Sequence, residues 1–241
     1  MFDVLATKSA GSTPALDNVL DNVIGNALTG RQRQFAVGND RAVRYAHAVA
    51  PFAAMTDTTP ESFDALARLI EEHAPVALTT LDAVEPPAGF ALIRHATLLQ
   101  MVWQGEPHAH AALEHVPLTA HDVPEMLALA AATQPGPFGP RTIEFGGYVG
   151  VRREGKLVAM AGERMKIEGH TEISAVCVDP AFRGQGLAAG LMKLLMAAIS
   201  ARGETPFLHV LTSNHGAISI YRALGFVERR ELHLTVLGVA Q

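Results

Sequence analysis

Cysteine is nearly missing from this chain, with one residue in 241. A lone thiol closes no internal disulfide, so covalent staples are excluded and a reducing compartment is expected. Charge is sparse as well. Asp, Glu, Lys and Arg make up 18% of the residues, the net charge is −5, and the basic residues do not cluster. Nucleic-acid binders carry a basic patch, and an anionic membrane surface asks for the same, so neither is an expected partner. No apolar run reaches the ~18 residues of a membrane span. The opening "MFDVLATKSAGSTP" has no basic start followed by a long apolar stretch, so no export signal is expected and the cytoplasm is the expected location. What is plentiful is apolar side chains, 49% of the total, enough for a sizeable core. Disorder and fibrous repeats are thereby excluded, and the length allows one large domain or two ordinary ones.

The first half lacks any glycine cluster and any gathering of titratable groups. Thr13-Pro14 reads as cap and first-turn proline of a helix in which Leu16, Val19, Leu20, Val23, Ile24, Ala27 and Leu28 recur every three or four positions, up to Gly30. Stretches near 32–37 and 42–55 lean to strand. A second helix starts at Thr59-Pro60-Glu61 and stops at Pro75, and Val76–Thr80 and Phe90–Trp103 read as strands. The break at Gly105–Ala112 is the expected junction, giving a motif-free domain over 1–108 and a second domain over 109–241. His108, His110, Glu114 and His115 around it invite a metal. Alternating histidines in a connector supply no fixed three-ligand geometry, so a solvated linker is expected and no metal ligand is named.

The second half alternates more regularly. Leu113–Leu118 reads as a strand, and Thr119 or Asp122 caps a helix through Met126, Leu127, Leu129 and Ala130. After the loop "TQPGPFGPR", Gly147–Arg152 and Leu157–Met165 form a hairpin turned at Arg153-Glu154-Gly155-Lys156. "TEISAVCV" is a strand. A long helix then places Leu187, Leu191, Leu194, Ala198 and Ile199 on one face and stops at Gly203. "PFLHVLT", "GAISIYRAL" and "RELHLTVL" follow as strand, helix and strand. A crossover of this length implies parallel neighbours, hence an α/β (α+β) fold with a mixed central sheet and flanking helices.

The segment "VDPAFRGQGLAAGLM", residues 178–192, opens that long helix with three glycines in seven residues. A helix start exposes unpaired amides and the positive end of the dipole, and glycines there let an anion touch the backbone. Gly184 and Gly186 bracket the start, Arg183 stands by as a counter-charge, and Ala188 and Ala189 keep the first turn clear. A tight turn needing positive φ is the plainer explanation of the same glycines. Gly184-Gln185-Gly186-Leu187-Ala188-Ala189 matches the dinucleotide fingerprint in form. Asp179–Phe182 separates it from the strand, however, and the next strand ends Leu211-Thr212-Ser213-Asn214, without the carboxylate that motif needs. A phosphate loop of the Gly-Lys-Ser/Thr type is absent.

With Val178-Asp179-Pro180 followed by Arg183-Gly184-Gln185-Gly186-Leu187-Ala188, the chain resembles the GNAT superfamily of acyl-CoA-dependent N-acyltransferases. Downstream, "LHVL", Asn214, Ala217, Tyr221 and Gly225-Phe226 keep the family's order. The resemblance covers roughly residues 112–238. It extends to the FR47-like, glycine N-acyltransferase-like branch, which implies a degenerate GNAT-like half ahead of the active GNAT fold.

The resemblance implies transfer of an acetyl group from acetyl-CoA to a primary amine by direct attack, without an acyl-enzyme. The amides of Arg183, Gly184, Gln185, Gly186, Leu187 and Ala188 would hold the pyrophosphate of coenzyme A. The backbone at Cys177 and Val178 would pair with the pantetheine arm, where this strand splays from its neighbour at a bulge. The Val178 N–H would stabilise the thioester oxyanion, Asn214 would contact the arm, and Tyr221 would protonate the sulfur as general acid. Cys177 is then expected to be inert packing. Glu172, six residues before Val178, holds the base position of the histone-acetyltransferase branch. A solvated strand-end charge is its other reading, and His209 and Glu163 are rivals for the role. The acceptor would be a small-molecule or peptide amine shaped by "TQPGPFGPRTIEFG", and the negative net charge favours a cationic one. A CoA-binding sensor without transfer activity, and a transferase for longer acyl chains left room by Ser174 and Ala175, are the alternatives. No oligomeric state follows from the sequence.

Overall fold

The computed structural model describes residues 18–105 and 113–240. The expected helix start at Thr13-Pro14, the junction at 108/109, and His108 and His110 lie outside the described residues. After a short 3-10 turn at Asn18–Asn22, the elements are α1 (Val23–Thr29), β1 (Ala36–Gly38), β2 (Ala42–Tyr45), β3 (Phe52–Met55), α2 (Pro60–His73), β4 (Val76–Thr80) and β5 (Phe90–Trp103). Then come β6 (Val116–Pro117), α3 (Val123–Thr133), β7 (Val149–Arg153), β8 (Lys156–Ile167), β9 (His170–Val178), α4 (Leu187–Ala201), β10 (Thr205–Leu211), α5 (His215–Ala223) and β11 (Phe226–Val239).

Among the described residues eleven strands join one sheet, in the order β1-β2-β3-β4-β11-β5-β10-β9-β8-β7-β6. Its parallel pairs are β3–β4 and β9–β10, each bridged by one helix, as a parallel connection requires. The final strand of each half lies beside the parallel pair of the other half: β5 pairs with β10 and β11 with β4. β5 and β11 also pair with each other from Trp103↔Phe226 to Phe90↔Val239. This exchange joins the halves through backbone hydrogen bonds.

The sheet curls until Arg164 on β8 lies over the Phe52 ring on β3, 4.8 Å from its centre. The Asn18–Asn22 turn, α1 and α3 fill the concave face with Leu20, Ile24, Leu28, Met126 and Leu129, against Met160, Cys177 and Phe207. α4 and α5 cover the opposite face. Leu187, Leu191 and Ile199 of α4 are buried as their spacing predicts, but Ala198 is exposed and the buried stripe turns toward Met192, Leu195 and Met196. Each such side chain contributes ~1.5–3 kcal/mol of burial. α2 packs Leu66, Leu69 and Ile70 on Ala53, Val76, Leu78 and Leu237.

The local turn chemistry follows the sequence. Glu154 and Gly155 have φ of 51° and 80° at the β7–β8 turn, the left-handed pair that a two-residue hairpin turn demands. Thr119 and Asp122 form a capping box before α3. The strand expected over 113–118 shrinks to Val116–Pro117, because proline offers no N–H to extend the ladder.

Candidate active site

β9 and β10 pair only from His170↔Thr205 to Glu172↔Phe207, although β9 runs on to Val178 and β10 to Leu211. Beyond Glu172 the two strands leave a gap. Its origin is a bulge. Between the pairs Met160↔Cys177 and Gly162↔Ser174, two residues of β9, Ala175 and Val176, oppose one of β8, Ala161, and Ala175 takes a φ of 52°. An alanine in that left-handed region costs about 1–2 kcal/mol, and such strain gathers at functional sites. β8 makes the reverse irregularity between Glu163 and Lys166, which restores the register. Plain alternation places Val176 on the face of Glu172. The bulge overturns this: Ala175 and Cys177 join the concave core, whereas Val176 and Val178 pack toward α4.

The Asp179 N–H donates to Val158 O at 2.8 Å, which makes Asp179 and Val158 a hydrogen-bonded pair. Val178 and Ala159, one step along, are therefore a non-bonded pair, whose N–H and C=O groups point away from each other. The Val178 amide consequently faces the gap.

Asp179 caps the short turn Pro180–Phe182 by accepting from the Ala181 N–H at 3.0 Å, and it pairs with Lys156 at 2.8 Å. The chain then reaches Gly184 and Gly186 with φ of 77° and 73°, where an added Cβ would meet nothing within 4 Å. Glycine is required here by the backbone, and the space outside it is open. The first helical bond of α4 is Gly190 N–H to Gly186 O at 2.9 Å, and no side chain caps the start. Among the described residues, the amides of Gly184, Gln185, Gly186, Leu187, Ala188 and Ala189 therefore donate to no protein acceptor. Arg183, Gly184, Gln185 and Gly186 are exposed. Six bare amides beside an arginine suit a phosphate group.

Asn214 caps α5, its side-chain oxygen accepting from the Ala217 N–H at 3.2 Å. Its amide N–H groups have no protein partner among the described residues. Tyr221 lies nearly two turns on, among the residues packed on the α4 side, with its ring edge-on to Phe226. Burial pushes its phenol up to about 12, so it stays protonated at neutral pH and is available as a donor.

Glu172 departs from both sequence readings. It is fully buried, not a solvated strand-end charge. Arg164 grips both its oxygens, Nε to Oε2 at 2.8 Å and Nη2 to Oε1 at 2.5 Å, and His209 Nδ1 lies 2.8 Å from Oε1. Burial alone would raise its pKa, but the charge and hydrogen bonds of Arg164, with His209, outweigh it and hold the carboxyl at about 2. A carboxylate so weakly basic, with both oxygens engaged, does not fit the role of proton acceptor. Glu163 is tied down too, to Lys166 at 2.8 Å and Arg202 at 2.9 Å. Cys177 is buried, and burial pushes its thiol up, which makes it a poor nucleophile. Sequence reading misses Arg164 and Gln100 altogether, because only the β8 irregularity and the exchanged strand β5 bring them to β9 and β10.

The profile of the FR47-like protein family matches residues 148–234. An acetyltransferase structure attributed to the GNAT family, from Novosphingobium aromaticivorans, is 41% identical, covers 92% of this chain and 99% of that one, and superposes with a TM-score of 0.86. This chain belongs to the GNAT family. The N-alpha-acetyltransferase RimI of Mycobacterium tuberculosis is 38% identical over 84 residues, 33% of this chain and 51% of that protein. The match thus spans about half the length of that relative. The ribosomal protein bS18-alanine N-acetyltransferase of Escherichia coli is 31% identical over 131 residues, 53% of this chain and 82% of its own. The gap, the bulge and the bare helix start all lie within the residues that the family profile matches. In this GNAT protein the loop before β7 is anchored to the N-terminal half, Arg141 N–H donating to Ala48 O at 3.0 Å and the Thr142 hydroxyl to Val49 O at 2.6 Å. Among the described residues no group of three His, Cys, Asp or Glu side chains converges on a metal site, and no helix is long and apolar enough to cross a membrane.

Proposed function

We propose that this protein transfers an acetyl group from acetyl-CoA to a primary amine. The observation that supports the reading is the presence of two sets of free amides: the run from Gly184 to Ala189, and Val178 facing the gap between β9 and β10. The first set, with Arg183, would hold the pyrophosphate. The free backbone at Val178 would take the pantetheine arm as an added strand, with Asn214 beside it, whereas Cys177, one step back and opposite Met160, turns its own N–H and C=O toward β8. The Val178 N–H would then meet the oxygen of the thioester as it gains charge, an interaction worth ~2.7–4 kcal/mol where such donors have been removed. Tyr221 would give its proton to the departing sulfur. Holding amine and thioester side by side supplies much of the remaining acceleration.

The names of the two relatives, an N-alpha-acetyltransferase and a ribosomal protein bS18-alanine N-acetyltransferase, make peptide amines the first class to assay, followed by small polyamines. The test is thiol release from acetyl-CoA by the purified protein across such a panel. Saturable turnover with at least one amine, falling about 10²-fold in Tyr221→Phe, supports the reading. Saturable CoA binding with no amine turned over would make the protein a sensor instead. Equal turnover of acetyl and longer acyl chains would remove the acetyl preference.

A further inference from the structure

An ammonium acceptor must lose a proton before it can attack, and with Glu172 held as a carboxylate at about 2 that proton needs another destination. His209 stands on β10 two residues past the last parallel pair, Glu172↔Phe207, at the foot of the gap. Its side chain is only 6% exposed. Nδ1 lies 2.8 Å from Glu172 Oε1, and Nε2 lies 3.0 Å from Gln100 Nε2. Gln100 is oriented from two further sides: the same nitrogen donates to Leu20 O at 2.9 Å, and Oε1 accepts from Arg229 Nη1 at 2.9 Å. A ring nitrogen facing an amide N–H must accept. Nε2 therefore carries the lone pair, and Nδ1 carries the proton, donated to Glu172. The lone pair of Nε2 is thereby turned away from the carboxylate. Beside it lies a cavity of about 20 Å³ bounded by Asp21, Thr79, Leu98, Arg164 and His209, room for one water.

We infer that His209 takes the proton of the acceptor ammonium, and that Glu172 is a positioning residue that fixes the tautomer and balances the imidazolium formed. The inference rests on the transfer reaction proposed above. An amine, or a water ahead of it, takes the place of the Gln100 N–H on the Nε2 lone pair. An N–H bond of the ammonium breaks and an Nε2–H bond forms. The freed nitrogen lone pair attacks the thioester carbon, the C–S bond breaks, and the thiolate takes the Tyr221 proton. The second extra proton on nitrogen then restores the phenol. The charged groups around His209 are Glu172 on β9, Arg164 on β8 and Asp21 across the cavity. Arg229 reaches it through Gln100, and Arg230 pairs with Asp21 at 3.2 Å. Tyr221 packs on the α4 side of the sheet and His209 on the concave side, so acid and base would act from opposite faces.

The experiment compares wild type with His209→Gln and His209→Ala in two readouts, kcat/KM across pH and CoA affinity by calorimetry. Both variants are expected to bind CoA within about threefold of wild type, to lose about 10²-fold or more in kcat/KM, and to lose the acidic limb of the profile. Added imidazole restores part of the His209→Ala rate, and Glu172→Gln displaces the acidic limb without removing it. A His209→Gln protein with wild-type kcat/KM and an unchanged profile overturns the inference. So does a loss of CoA affinity that accounts for the whole loss of rate, since that places His209 in the architecture alone. If wild type turns over no amine, the transfer reading itself fails, an outcome distinct from either.

Discussion

Two crossovers in this molecule, β3–α2–β4 and β9–α4–β10, share a parallel pair and a helix, yet their helix starts are built in opposite ways. Before α2 the chain reads Thr56-Asp57-Thr58-Thr59-Pro60, without glycine. Asp57 Oδ1 accepts from the Thr59 N–H at 3.1 Å, the Thr59 hydroxyl at 2.5 Å and the Ser62 hydroxyl at 2.6 Å. These bonds, that from Ser62 first, hold its carboxyl at about 2. The helix start in the N-terminal half carries an anion of its own, whereas the start of α4 offers six amides to an anion from outside. The concave face differs in the same sense. β3 and β4 place Phe52 and Ala77 in the apolar core, where β9 and β10 place Glu172 and His209. One helix start carries its own acceptor, and the other leaves its amides bare.

The largest effect that would sharpen this contrast lies at Glu172. Replacing it with Gln leaves the Arg164 charge buried without its counter-ion, which costs ~3–5 kcal/mol. The folded-state pKa is depressed from 4.5 to about 2. The carboxylate's contribution is therefore present above about 4.5 and is lost as pH falls toward 2. Urea melts at neutral pH should separate wild type from variant, and melts near the lower limit should bring them together. An unchanged gap between them would mean the pair does not hold the fold.

Gly162→Ala is next. The added methyl would stand 2.3 Å from the Tyr148 ring, and overpacking of this kind costs ~1–3 kcal/mol. Thermal melting should show it, and a silent substitution would mean that β7 and β8 pack more loosely beside the gap than described. The smallest effect belongs to Asp57→Asn, which should lower the melting point slightly at neutral pH and leave CoA affinity alone. By the same sign argument the difference should fade as pH falls from 3.8 toward 2. A change in CoA affinity there would break the contrast between the two helix starts.

The parts legible in the sequence are those whose causes are local. Val178–Pro180 and Arg183–Ala188 announce a strand end and a bare helix start, because glycine φ values and unpaired first-turn amides are properties of a dozen consecutive residues. The turn at Glu154-Gly155 and the capping box at Thr119 and Asp122 are local in the same way. The environment of Glu172 is not. Its counter-ion Arg164 sits on β8, where a three-residue irregularity turns both Arg164 and Met165 into buried sites, and no periodicity rule marks such a step. Gln100 is equally hidden, since it comes from the N-terminal half on a strand inserted beside β10. The exchange of β5 and β11 depends on pairing between residues more than a hundred positions apart, and apolar alternation says only that both are strands. The Ala175 bulge also shows where alternation misleads: one extra residue sends Val176 to the face opposite the one its number implies.

The central claim is that one helix start in this chain is empty of protein anions and holds a diphosphate. Calorimetric titration with CoA tests it most directly. The account predicts one molecule bound per chain and at least ~100-fold weaker binding in Gly186→Glu, about 2.8 kcal/mol, with Asp57→Asn binding as wild type does. Undiminished affinity in Gly186→Glu, or a second equivalent taken up through α2, would contradict it.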